Sequence, residues 1–210
     1  NLDGAAMADP LFLKFTTGRR HQSWYRNCIA VGLSSGFLEP LESTSIYLIQ
    51  MAIINLIKLF PRLPIDPSVR EEYNRMVDLE YDRVRDFLIL HYHANDRDDA
   101  ELWRHCRDME VPDSLTHKLA MFRARGYIEN YKYGLFAPPS WLSVLIGQGV
   151  MPEGYDRLAD NVPFTDVVGR LRQLRAEIAE KVAKMPDHAE FIEDYCPAPG
   201  AAAASGKAMA

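Results

Sequence analysis

The sequence predicts a mostly helical fold with one or two short strands near its start. Apolar residues recur at three- and four-residue spacings through most of the chain after residue 40, which is the helical pattern. Only two short stretches, both before residue 33, have the pattern of strands. Hydrophobic residues make up 48% of the 210 residues and charged residues 25%, so the chain has an ordinary globular composition.

Composition and charge exclude several classes of protein. The formal net charge is −5 and no basic block occurs, which gives nucleic-acid binding no electrostatic support. The three cysteines are far apart, which fits a reducing cytoplasm better than a disulfide framework. No metal-ligand spacing is present, so no structural metal is expected. The most apolar stretch, residues 46–60, is too short to span a bilayer.

The two predicted strands lie on either side of a cationic turn. Residues 11–17 alternate weakly and indicate an extended edge, and residues 18–20 form the turn. The apolar run 28–31 ends at Gly32 and is typical of a short buried strand. Because a lone strand pair is not a stable sheet, we expect these strands to complete a sheet whose other strands lie outside this chain.

Two long helices should follow. The first begins near Glu42 and runs to residue 60, where Pro61 stops it. The second opens near residue 66 and continues to about His91, with Ser68 and Glu71 as a capping box. The predicted core stripe of the first helix consists of Ile46, Ile49, Ile53, Leu56 and Ile57.

The remainder is also predicted to be mainly helical. Short helices are expected over residues 98–106 and 113–123, the latter stopped by Gly126. Residues 127–139 form an aromatic loop, and residues 141–146 are either helix or buried strand. A last long helix begins at Thr165 with an apolar stripe directed inward, and a disordered tail starts at residue 197. The stripe consists of Val167, Val168, Leu171, Leu174, Ile178 and Val182.

The segment most suited to chemistry runs from residue 32 to residue 46. It reads Gly-Leu-Ser-Ser-Gly-Phe-Leu-Glu-Pro-Leu-Glu-Ser-Thr-Ser-Ile. Its glycines allow backbone to approach a ligand closely, and the helix start that follows offers free amides and the positive end of the dipole. Such a site suits a halide, a phosphate or an electron-rich flavin edge. Glu42 lies at the same point, where it either serves chemistry or caps the helix.

This segment resembles the signature of the flavin-dependent tryptophan halogenases. The similarity covers about twenty residues, from Asn27 through Gly32-Leu33 and Gly36-Phe37-Leu38-Glu39-Pro40-Leu41-Glu42-Ser43-Thr44. Weaker similarity extends over residues 9–196 and includes Ser140-Trp141 and Gly147-Gln148-Gly149.

The resemblance implies where this chain belongs in a larger fold. It would be the C-terminal part of an α+β, FAD-dependent monooxygenase-like fold whose N-terminal FAD-binding half is absent. Residues 1–60 would end the flavin and halide module, and residues 61–196 would form a helical substrate-side region. Residues 197–210 would be the tail.

The resemblance also implies an activity. Family members use reduced FAD from a separate flavin reductase, oxygen, and chloride or bromide to make hypohalous acid, which reaches tryptophan or another indole or aromatic substrate. Glu42 would be catalytic, together with a lysine of the N-terminal half. The halide would contact the backbone at Thr44 and Ser45, where many tryptophan-specific members have glycine at the second position. Leu33 and Ile46 would flank the flavin. A cytoplasmic enzyme is expected, and a homodimer is allowed.

Aromatic residues late in the chain are the candidates for substrate binding. Phe136 and Trp141, with Tyr131 and Tyr133 nearby, could stack on a flat ring, although core packing is the commoner role of any single aromatic residue.

Other polar residues are expected to have structural roles. The residues at the end of the second helix, His91, Tyr92 and His93, are expected to satisfy terminal carbonyls without catalysis. For Arg19 and Arg20, solvent or a carboxylate partner is a better expectation than a phosphate.

Two other functions remain open from sequence. One is an FAD-dependent aromatic monooxygenase that does not halogenate, and the other is a non-catalytic helical binding module. The sequence contains no glycine-rich dinucleotide fingerprint and no tryptophan-rich family element. The isolated chain is therefore expected neither to hold FAD tightly nor to turn over, and flavin titration tests this.

Overall fold

The structure is a computed structural model that describes residues 7–131 and 134–196. It is mostly helical, as the sequence predicts, and the described residues contain four two-residue strands where one or two were expected. The strands are β1 (Gly18–Arg19), β2 (Trp24–Tyr25), β3 (Cys28–Ile29) and β4 (Gly36–Phe37). The helices are α1 (Ser45–Lys58), α2 (Pro67–His93), α3 (Glu101–Asp108), α4 (Asp113–Arg125), α5 (Pro138–Gly147), α6 (Phe164–Ala183) and α7 (His188–Tyr195).

The first predicted strand is wrong. Residues 11–17 have no regular structure and are exposed, and β1 instead forms at the predicted turn, where it pairs antiparallel with β4. A Cβ atom at Gly36 would lie 2.7 Å from the carbonyl oxygen of Gly18, so this close pairing requires glycine. Backbone proximity therefore decides where the strand forms, and weak side-chain alternation does not.

The second predicted strand is shorter and less buried than expected. Only Cys28 and Ile29 pair, with β2, and Cys28 is exposed. The buried residue of this hairpin is Trp24, which is 2% exposed and contacts the Tyr73 ring edge to face. The side-chain amide of Asn74 fixes the hairpin to α2, since it accepts from the Trp24 N–H at 2.7 Å and donates to the Trp24 carbonyl at 3.0 Å.

Helix α1 forms where predicted but buries a different face. A short 3₁₀ turn at Leu41–Ser43 precedes it, and it ends before Pro61. The predicted stripe is mostly wrong, because Ile46, Ile53 and Ile57 are exposed, whereas Leu56 is partly buried against the core. The buried residues are Leu48, Ala52 and Asn55, which lie on the side that packs against α2.

Helix α2 is the central element, and it contacts α1, α3, α4, α5 and β2. The predicted capping box is wrong, because the side chain of Asp66 caps the helix by accepting from the Ser68 N–H at 2.8 Å. One face of α2 is buried against its neighbours. Its buried apolar residues are Tyr73, Val77, Tyr81, Val84, Phe87, Leu88 and Leu90.

Helices α4 and α5 pack on the last turns of α2. Gly126 ends α4 in a left-handed conformation with φ +65°, as predicted, and the ambiguous segment 141–146 is helical within α5. The shared cluster consists of Phe87, Leu90, Leu115, Leu119, Phe122, Trp141, Leu145 and Val150.

The chain divides into two compact units, residues 1–156 and residues 157–210. In the second unit, α6 begins near the predicted residue, and α7 was not predicted. The predicted inward stripe of α6 is wrong, because no residue of α6 is buried. The described part of this unit provides no partner that covers that face. Tyr133 and the predicted tail lie outside the described residues. No helix among residues 7–131 and 134–196 is long and apolar enough to cross a membrane.

Candidate functional site

Glu42 lies in an uncommon backbone conformation immediately before α1. Its φ is +65° and that of Ser43 is +52°, so two consecutive non-glycine residues are left-handed. This conformation costs about 1–2 kcal/mol per residue for ordinary side chains. It persists only where surrounding contacts fix it, and such outliers cluster at functional sites.

The left-handed pair ends at Thr44, which returns to a right-handed φ of −76°. Turns in which neighbouring residues alternate in hand are a backbone arrangement that can bind anions. The Ser43 N–H donates to the Pro40 carbonyl at 2.9 Å. Thr44 is buried, and its side chain makes no capping hydrogen bond to α1. The N–H groups at the start of α1, beginning at Ser45, lack intrahelical acceptors and can bind an anion.

The Glu42 carboxylate contacts a histidine of α2. Its Oε1 atom lies 3.1 Å from His91 Nε2, and His91 Nδ1 lies 2.8 Å from the Phe87 carbonyl oxygen. Glu42 is therefore held by a side chain 49 positions away in sequence instead of capping α1. Sequence reasoning missed His91, because nothing in the local pattern links the end of α2 to this loop.

A second carboxylate of the loop is held in the same way. The Tyr92 hydroxyl donates to Glu39 Oε2 at 2.8 Å, and this bond, with burial, raises the pKa of Tyr92 to about 12. Consecutive residues of α2 thus each engage one loop glutamate. The other carboxylate oxygen of Glu39 is buried and has no partner within the described residues.

An aromatic cluster adjoins His91. The Phe87 ring meets the His91 ring edge to face at 4.8 Å, Phe136 stacks on Phe87 at 3.9 Å, and Trp141 lies 5.0 Å from Phe87. Trp141 is only 4% exposed and lines a cavity of about 350 Å³ whose lining does not include Glu42. The structure therefore brings Phe136 and Trp141 close to the partner of Glu42, without direct contact with Glu42.

The two residues expected to flank a flavin are exposed. Leu33 is 78% and Ile46 is 68% exposed, which leaves apolar side chains in a 3₁₀ turn at Gly32–Ser34 and on the first turn of α1. A Cβ atom at Gly32 would meet the Ile49 side chain at 3.4 Å, so the turn that carries Leu33 packs on α1. Exposed apolar surface beside free amides suits a flat, electron-rich ring.

Other polar groups near the site are already occupied. Arg19 pairs with Asp78 at 2.6 Å, which confirms the expected carboxylate partner, and Arg20 Nε donates to the Ser34 carbonyl at 2.6 Å. Among the residues that the structure describes, no group of three or more His, Cys, Asp or Glu side chains is arranged to hold a metal ion.

Comparison with known proteins gives a consistent result. The family model described as tryptophan halogenase matches residues 1–164. A 7-chloro-L-tryptophan 6-halogenase from Kutzneria is 34% identical over 199 residues, which cover 90% of this chain and 37% of that protein. A tryptophan 6-halogenase from Streptomyces toxytricini is 38% identical over 151 residues, or 70% of this chain and 29% of that protein.

Solved structures agree. A flavin-dependent halogenase from Xanthomonas campestris superposes with a TM-score of 0.85 at 46% identity, over 95% of this chain and 40% of that one. A flavin-dependent halogenase from Brevundimonas has a TM-score of 0.81 at 44% identity, over 90% and 38% respectively. The chain spans about a third of the length of the curated relatives it matches. The fold, the loop before α1 and these matches together show that the chain belongs to the tryptophan halogenase family.

Proposed function

We propose that this chain forms the C-terminal part of a flavin-dependent halogenase that acts on tryptophan or another indole or aromatic compound. The observation that carries the proposal is the placement of one carboxylate next to a helix start. Glu42 is fixed by a strained backbone and by His91, and α1 begins three residues later, at Ser45, with N–H groups that have no intrahelical acceptor.

The halide would bind to the backbone at Thr44 and Ser45. A backbone N–H is present whatever the side chain, so serine at position 45 keeps the donor that glycine would supply. The positive end of α1 adds to the attraction for chloride or bromide.

The flavin would lie against Leu33 and Ile46. Both side chains are apolar and exposed, which fits contact with a ring system. When bound, reduced FAD from a flavin reductase supplies, with oxygen, the oxidising chemistry that converts halide into a halogenating species. The expected setting is the cytoplasm, where such a reductase works.

Glu42 would act as the general base. Attack of an aromatic ring on electrophilic halogen leaves a proton on the ring carbon, and a carboxylate held close by can remove it. The same charge can also polarise the halogenating species before attack. Phe136 and Trp141 would bound the aromatic side of the substrate site, and their contacts with Phe87 support this proposal.

The test is a Glu42→Gln substitution in the complete gene product that contains this chain. The enzyme is supplied with a flavin reductase, oxygen and bromide, and indoles are screened by mass spectrometry. Loss of a general base typically costs about a hundredfold or more in rate, so brominated product should fall by that factor while FAD binding is retained. Glu71→Gln, at an exposed position of α2, is the matched control and should remain active.

Each other outcome opposes the proposal. Unchanged turnover in Glu42→Gln would remove Glu42 from the mechanism. A hydroxylated product formed without any halide would identify an aromatic monooxygenase. No product from any aromatic substrate, in a protein that binds reduced FAD, would favour the non-catalytic module.

A further inference from the structure

We propose that His91 is a positioning residue that holds Glu42 through a bridging proton, so that Glu42 acts through its other oxygen, Oε2. The contact between the two side chains stands on geometry. The part that concerns turnover rests on the proposed function.

The hydrogen-bond partners of His91 determine how many protons it carries. A backbone carbonyl only accepts, so the contact of 2.8 Å to the Phe87 carbonyl requires a proton on Nδ1. A neutral imidazole has no second N–H, and an ionised carboxylate has no proton to give. The contact of 3.1 Å between Nε2 and Glu42 Oε1 therefore needs one additional proton between the two groups.

The two side chains differ in exposure. The Glu42 side chain is 39% exposed, whereas the His91 side chain is 17% exposed and makes both of its bonds within the protein. The histidine is therefore the more firmly fixed of the two partners.

The groups around His91 keep its ring in place and leave it to contact Glu42. The Phe87 ring meets it edge to face, and Phe87 is 1% exposed and therefore fixed. Tyr92, the next residue on α2, is engaged with Glu39 and does not compete for Glu42. The Gln148 side chain donates to the backbone carbonyl of His91 at 3.4 Å and leaves the imidazole untouched.

The consequence is that the two oxygens of the Glu42 carboxylate have different roles. Oε1 is occupied by His91, and Oε2 remains to meet the reacting ring or the halogenating species. The left-handed backbone at Glu42 fixes the direction in which its side chain leaves the main chain, and the contact with His91 fixes the position of its carboxylate. With its direction fixed by the backbone and its carboxylate fixed by His91, the side chain has the orientation that a general base needs.

The protonation is tested on the chain itself by NMR. Isotope-labelled histidine allows long-range proton–nitrogen correlation to report the state of each of the six histidines near neutral pH. His91 is assigned through the signal lost in His91→Gln. We expect a proton on His91 Nδ1 in the native chain, because the Phe87 carbonyl can only accept, and a change in the Nε2 signal in Glu42→Gln. His93, whose Nδ1 faces the Cys106 carbonyl, is the internal control and should not change. A native His91 without a proton on Nδ1 overturns the inference whether or not the variant folds, and so does an Nε2 signal that is the same in both chains.

The positioning role is tested in the complete gene product. His91→Leu should lower halogenation by between about tenfold and a hundredfold, since displaced catalytic groups cost rates of that order. His91→Gln retains an N–H donor toward Glu42 and should restore part of the activity. Full activity in His91→Leu, with Glu42→Gln inactive, would refute positioning while sparing the proposed function. Full activity in both variants would instead refute the proposed function.

Discussion

Ser43 adopts a left-handed backbone without being glycine, and this has a measurable cost. Glycine has no Cβ atom to clash at φ +52°, so Ser43→Gly should remove part of the strain. The gain is reduced because glycine also loses more entropy on folding, and we expect stability to rise by up to about 1 kcal/mol. Denaturant unfolding of the native and variant chains measures this difference.

The matched control for that substitution is Ser143→Gly. Ser143 is exposed and lies inside α5 with ordinary helical geometry. There the same change should destabilise, by about 0.5 kcal/mol, because glycine is the poorer helix former. If both variants lost stability equally, the conformation at Ser43 would not be strained.

Individual residues differ in how well sequence predicts them. The resemblance to the halogenase signature places Glu42, Thr44 and Ser45 in one contiguous segment, and their roles in catalysis and halide binding stay predictions. His91 was expected only to satisfy helix-end carbonyls. Its Nδ1 does bond a carbonyl, that of Phe87, but its Nε2 reaches Glu42 across the fold. A contact between residues 49 positions apart cannot be read from the periodicity of either segment.

At the level of elements, a buried ion pair joins α2 to α4. Asp86 is 1% exposed and pairs with Lys118 Nζ at 2.5 Å and with Arg85 Nη2 at 2.8 Å. Lys118→Met removes one of these two partners from a buried carboxylate. Because breaking a buried pair typically costs about 3–5 kcal/mol and Arg85 remains, we expect a loss near the lower limit, about 3 kcal/mol, in denaturant unfolding.

Arg75→Met, on α2, is the control. Arg75 pairs with Glu72 at 2.6 Å, nearly the same distance, but their side chains are 63% and 43% exposed. Solvent screens such a pair, and its loss should leave stability unchanged within error. Equal losses in the two variants would show that burial does not decide the strength of these pairs.

Sequence predicted which helices exist better than which faces they bury. The positions of α1, α2, α4 and α6 follow from periodicity and from proline and glycine stops. The α1 stripe failed because isoleucines occur on several sides of that helix, and only the contact with α2 selects Leu48 and Ala52. The face of a uniformly apolar helix depends on its neighbours, which local sequence does not specify.

At the scale of the whole molecule, buried and bonded tyrosines limit stability at high pH. Burial raises the pKa of Tyr47, Tyr73, Tyr81 and Tyr131, and the bond to Glu39 raises that of Tyr92 to about 12. The fold thus favours their protonated forms over those of the unfolded chain, whose tyrosines titrate near about pH 10. This stabilisation is complete below that pH and is lost as pH rises through the folded-state values.

We therefore expect unfolding midpoints to fall as pH rises from about 10 toward 12, as tyrosine ionisation becomes linked to unfolding. Tyr92→Phe should be less stable than the native chain near neutral pH, because it lacks the bond to Glu39, but should lose less stability across the alkaline range. Denaturant melts followed by circular dichroism at each pH, with tyrosinate absorbance in parallel, measure both effects. Tyr127→Phe, at an exposed tyrosine, is the matched control and should follow the native curve. Parallel pH curves for the native chain and Tyr92→Phe would contradict the link, and would mean that the bond between Tyr92 and Glu39 does not join the loop to α2 in solution.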